Sequence, residues 1–154
     1  MNKIITGLIF SGFILMSGCQ SDSNKNVEYQ VVKVDNVELY PKYYNCEDFY
    51  EKDQQLDCLM DRFNKFVYNS IQTHYADDFL NMNDTLWVQF SIDSIGETHF
   101  VQLSSQDTIN NAKFDSIFDK IAQRVPKMEP AIFQDKPVEF NFKIPIIIST
   151  NETE

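Results

Sequence analysis

The sequence predicts an α+β fold: a two-layer sandwich in which two helices cover one face of an antiparallel three-stranded sheet, preceded by an N-terminal extended segment. Three observations predict it. Apolar residues alternate with polar ones over 86–92 and again over 138–144, the period of half-buried strands. Over two other stretches they recur at three- and four-residue steps, the period of amphipathic helices. The order is strand, helix, hairpin, helix, strand, which suits helices packed on one face of a sheet. The 154 residues suffice for one domain.

Residues 1–18 read as an address and not as part of the fold. Lys3 gives a positive start, an apolar run reaches Met16, and small residues follow. The run is shorter than the ~20 apolar residues that span a bilayer. Leu15-Met16-Ser17-Gly18-Cys19 resembles a bacterial lipobox. That resemblance implies removal of the signal peptide and acylation of Cys19, palmitate being one such chain. An uncleaved anchor or an ordinary signal peptide is the other reading. Each buried CH₂ of an acyl chain adds ~0.8 kcal/mol, so two or three chains anchor a protein stably. Residues 19–26 form a polar tether. No Asp directly follows Cys19, so an inner-membrane retention signal is missing. The expected location is the outer membrane, lipid-anchored, with the periplasmic face and the cell surface both open.

The domain is expected over 27–150, with a polar tail at 151–154. Val31, Val32, Val34, Val37 and Leu39 make 27–40 an extended segment, and Pro41 marks a loop or strand edge. A helix is predicted over 55–75. Its apolar face is Leu56, Leu59, Met60, Phe63, Phe66, Val67, Ile71 and Tyr75, with Asp53 as N-cap. Leu86, Val88, Phe90 and Ile92 then alternate with polar residues and Trp87. Asp93-Ser94-Ile95-Gly96-Glu97 supplies a hairpin turn, Gly96 taking positive φ. Residues 98–103 return. A second helix is predicted over 111–125 through Phe114, Ile117, Phe118, Ile121 and Val125, and Pro126 ends it. The last strand is expected over 138–148. Pro145 places that strand at an edge or at a bulge.

Two cysteines remain beside Cys19. In an oxidising compartment Cys46 and Cys58 read as a disulfide. Free buried thiols, or a metal or redox role, are the alternatives. His74 and His99 are far apart in sequence, which disfavours a zinc site with that pair.

The net charge of −10 makes nucleic acid a poor partner, because phosphate contacts need clustered Lys and Arg. A nucleophile elbow, a phosphate-binding glycine loop and a His-Glu-x-x-His motif are all missing from the sequence. The expectation is no catalytic residues, no cofactor and no metal. His74 and His99 read as satisfied or solvated. The oxygen-rich loop of Asp77, Asp78, Asn81, Asn83 and Asp84 reads as a solvated turn, with Ca²⁺ as the alternative. Glu47, Asp48, Glu51, Asp53 and Asp57 read as a solvated face, with docking as the alternative.

Four pieces of sequence, in order, resemble the TonB C-terminal domain in the form common in Bacteroidota. The first is Tyr40-Pro41-Lys42-Tyr43-Tyr44-Asn45-Cys46 with Cys58 in the following helix. The second is the strand from Trp87 into Ile92-Asp93-Ser94-Ile95-Gly96. The third is Ile121-Ala122-Gln123-Arg124-Val125-Pro126-Lys127-Met128-Glu129-Pro130-Ala131. The fourth runs from Lys136-Pro137-Val138 to Phe142-Lys143-Ile144-Pro145-Ile146. The resemblance implies a partner-binding edge strand carrying Val138, Phe140, Phe142, Ile144 and Ile146, which captures an extended protein segment. It implies a non-enzymatic envelope lipoprotein whose partner is an envelope protein, a TonB-dependent receptor among them. An auxiliary part in TonB-dependent transport across the outer membrane, and a small ligand-binding or hydrolytic lipoprotein, are the alternatives. Both monomer and homodimer fit. The family's Ser-x-x-x-His motif is missing, since Leu15 stands four residues after Ser11. The tether reaches only ~28 Å when extended. The chain is therefore not expected to transmit the proton motive force by itself.

Overall fold

The computed structural model describes residues 37–46, 51–80, 82–105 and 111–149. Cys19, the address, the tether, the stretch 27–36 and the tail lie outside the described residues. The elements in chain order are α1 (Lys52–His74), a short 3-10 turn (Ala76–Phe79), β1 (Asp84–Ile92), β2 (Thr98–Ser104), α2 (Asn111–Ala122), β3 (Ala131–Phe133), β4 (Lys136–Val138) and β5 (Phe140–Ile148). The protein is mixed α+β, with a three-stranded antiparallel sheet in the order β2-β1-β5. Among the described residues, no helix is long and apolar enough to cross a membrane.

Alternation sets the inner face of the sheet. Leu86, Val88, Phe90 and Ile92 of β1 and Phe140, Phe142 and Ile144 of β5 are all fully buried. Phe63 of α1 meets Phe90 at 5.0 Å and Phe142 at 4.8 Å between ring centroids, both edge-on. Phe118 of α2 meets Phe100 at 6.2 Å and Phe90 at 6.4 Å. Helix α1 therefore covers β1 and β5, and α2 covers β1 and β2. Edge-on ring contacts add ~0.5–1.5 kcal/mol each beyond the area they bury.

Helix α1 starts earlier than its sequence period indicates. Its first residue is Lys52, and Asp53 sits inside the first turn. Glu51 takes the cap position without a side-chain cap bond. The helix start is held from outside instead: Lys52 Nζ donates to Val37 O in the first turn, and Cys46 is bonded to Cys58 in the second. Helix α2 ends at Ala122, short of Val125. There the ladder tightens to three-residue spacing, with Arg124 N donating to Ile121 O and Val125 N to Ala122 O, before Pro126.

The region after α2 departs most from expectation. A single strand over 138–148 is expected, but a small hairpin precedes it. Ala131 pairs with Val138 and Phe133 with Lys136 across a two-residue turn. Gln134 and Asp135 both take positive φ, 50° and 58°, the primed-turn geometry that glycine or asparagine usually marks. Without those residues the turn is silent in the sequence. Residues 37–42 run against this hairpin, Leu39 bridging Ile132 and Lys42 bridging Glu129. Only this last part of the expected N-terminal extended segment falls among the described residues.

The β1–β2 turn is tied to the rest of the chain. Gly96 has φ +87°, and a Cβ there would stand 1.8 Å from Met128 O. Met128 N in turn donates to Gly96 O at 3.0 Å. Asp93 Oδ1 accepts from the amides of Ile95 and Glu97, and Oδ2 contacts His99 Nε2 at 3.0 Å. Desolvation alone would push the Asp93 carboxyl up. The His99 bond and the two amides outweigh it and hold the carboxyl below its ordinary value.

Three measurements check this account. Replacing Gly96 with Ala is expected to cost about 2 kcal/mol or more, read as a drop in the urea midpoint, because the methyl meets backbone in a left-handed conformation. Cys58→Ser is expected to cost about 3 kcal/mol, and reductant should bring the parent protein to the same midpoint. Tyr43 is only 3% exposed. Burial, reinforced by Tyr44, pushes its phenol up to about 12. Its native value is therefore above the unfolded value of about 10. The stabilisation is full below pH ~10 and is lost as pH rises through the native value. An ultraviolet titration should show a tyrosine ionising near pH 12, and Tyr43→Phe should remove it.

Candidate functional site: the outer edge of the sheet

Among the described residues, strand β5 pairs with β1 alone, so its other side is a rim of the sheet. Its register on β1 is continuous from Phe140 opposite Ile92 to Ile148 opposite Asp84. Pro145 sits opposite Trp87 within this run. Proline has no N–H to give, so an unbroken register requires its nitrogen to point away from β1. Ser104 Oγ, on the β2 side, lies 3.5 Å from Trp87 O, so Trp87 directs its carbonyl away from β5. In an antiparallel ladder, alternate residues turn their polar backbone groups to opposite sides. Asn141, Lys143, Pro145 and Ile147 therefore direct theirs to the rim. They offer four carbonyls and three amides, Pro145 removing one donor. Among the described residues, no backbone hydrogen bond joins this rim to another element.

The expected site residues divide in two. Phe140, Phe142, Ile144 and Ile146 do belong to the edge strand. Their side chains face inward, the first three being fully buried, so they place the rim without offering contacts from it. Val138 does not belong to this edge: it lies in β4 and pairs with Ala131. Glu139 alone separates the small hairpin from β5.

The outer sheet face carries the alternate residues. Lys143 Nζ lies 5.6 Å from the centroid of the Trp87 ring. Beside it, Gln102 Nε2 donates to Gln89 Oε1 at 2.7 Å. Near the end of β5 a charge-free groove of about 510 Å³ opens between the strand, the end of α1 and the 3-10 turn. Tyr68 and Leu80, each 61% exposed, and Ile147, 71% exposed, stand along it. The groove is not expected from the sequence. Its residues come from three elements whose proximity no local spacing reveals, although Ile146-Ile147-Ile148 breaks the alternation and is a visible sign.

The remaining candidates are placed as follows. Cys46 and Cys58 form a disulfide with Cα atoms 6.1 Å apart. His74 is exposed beside Tyr75. Asp78, of the oxygen-rich loop, pairs with Lys113 at 2.9 Å. Asp84 Oδ1 accepts from Thr85 N. Asn81 lies outside the described residues, as do Glu47 and Asp48. Glu51, Asp53 and Asp57 are exposed.

Two proline substitutions test the assignment of the rim. Ile144→Pro breaks the ladder to β1 and is expected to cost about 3 kcal/mol or more in a urea or thermal melt. Lys143→Pro, on the rim parity, is expected to cost much less. A larger cost at Lys143 than at Ile144 would reverse the parity, and equal costs would remove the assignment. Compared with family models, curated proteins and solved structures, the chain matches none.

Proposed function

We propose that this protein is a non-enzymatic binding module of the cell envelope that holds an extended segment of a protein partner on the rim of β5. The observation that carries the reading is the row of rim groups at Asn141, Lys143, Pro145 and Ile147, which has no backbone partner among the described residues. Such a row is a template for strand addition, in which main-chain bonds supply affinity and flanking pockets supply selectivity. The groove at the end of the strand is one such pocket. The sheet order and the two helices on one face are compatible with a TonB C-terminal-like domain, and the lipobox at Cys19 would tie that domain to the outer membrane.

A photoreactive residue at Ile147 in intact cells tests this reading. A cross-link to one envelope protein, weakened by Lys143→Pro, is expected. A cross-link only to a second copy of the chain would identify the rim as a self-association edge. No cross-link, or one that Lys143→Pro leaves unchanged, would refute strand addition.

A further inference from the structure

The β1–β2 hairpin brings three metal-ligating side chains together at the opposite corner of the sheet from the groove. Asp93 follows β1, Glu97 precedes β2, and His99 is the second residue of β2. One ligand atom from each lies within 4.8 Å of the other two. Asp93 Oδ2 and His99 Nε2 are 3.0 Å apart. The other oxygen of Asp93 is already committed to two backbone amides, which fixes where Oδ2 stands.

A cleft of about 320 Å³ separates the hairpin from the end of α2, and Glu97, Thr98, His99, Gln123 and Lys127 line it. Thr98 is only 7% exposed, and its Oγ1 has no hydrogen-bond partner. Two of the three ligating residues thus stand at this cleft, while the Thr98 side chain alternates with His99 along β2 and is turned to the helix side with Phe100.

We propose that Asp93, Glu97 and His99 bind a divalent transition-metal ion of the zinc class. One imidazole nitrogen and two carboxylate oxygens suit Zn²⁺ and its neighbours, whereas Ca²⁺ takes six to eight oxygen ligands. The two carboxylates balance the charge of the ion. Binding replaces the Asp93–His99 hydrogen bond and requires the imidazole to be neutral. Three protein ligands leave a coordination position for water or for a group of a further ligand. Lys127 in the cleft favours an anionic group there. This proposal is independent of the rim of β5.

Titration calorimetry of the purified, chelator-treated protein with zinc chloride tests it, with calcium chloride as control. One zinc ion per chain is expected, with calcium giving no comparable heat. His99→Ala and Glu97→Gln should each weaken zinc binding at least about tenfold. Both residues are exposed, and unchanged melting curves would show that the variants fold. The chain has only two histidines, so imidazole NMR signals give a second readout. Zinc should perturb His99 and leave His74 unmoved. No binding at millimolar zinc, undiminished binding in the two variants, or perturbation of His74 alone would each overturn the proposal.

Discussion

The fold depends on one aromatic contact set. Phe63 projects from α1 into the angle between Phe90 and Phe142, and so joins the helix to the central strand and the edge strand at once. Phe118 does the same from α2 toward Phe90 and Phe100. Phe90 is common to both sets. Each helix is thereby placed over a strand pair, and β5 is fixed in register although it has one strand neighbour only among the described residues. A sheet with so few strands gains its stability from helices packed on it more than from its own ladder.

That placement explains why the two candidate sites are independent. The rim of β5 lies on the side covered by α1. The Asp93, Glu97 and His99 cluster lies at the turn between β1 and β2, beside the end of α2. The first is made of backbone groups and needs a strand to remain straight. The second is made of side chains and needs a turn to remain rigid, which Gly96 and Met128 provide. The disulfide supports a third region, the entry to α1, where the cap residue makes no side-chain bond of its own.

Much of this was legible in the sequence because periodicity reports burial. The inward set of β1, the apolar face of α1 and the positive φ of Gly96 follow directly from spacing and residue type. Pro145 gave a correct sign that β5 is an edge, since proline cannot sit within a ladder on both sides. What spacing missed has a physical reason in each case. The β3–β4 turn puts Gln134 in a left-handed conformation that glutamine does not advertise, with no glycine beside Asp135 to mark the turn. Helix α1 gains a turn because contacts from Val37 and Cys46 hold it, which is tertiary information. His99 read as solvated because its partners Asp93 and Glu97 belong to the turn, and only the folded hairpin brings their ligand atoms together.

Pro145 has one more consequence. A rim with every amide available can template strand after strand, which is how open-ended fibrils grow. Here the amides are interrupted between Lys143 and Ile147 while the Pro145 carbonyl remains, so an incoming chain would find one acceptor there without a donor beside it. A polymer built on that pattern forfeits a bond at every layer, whereas a single guest forfeits it once. The same residue that exposes the edge thus also limits how many chains can stack there.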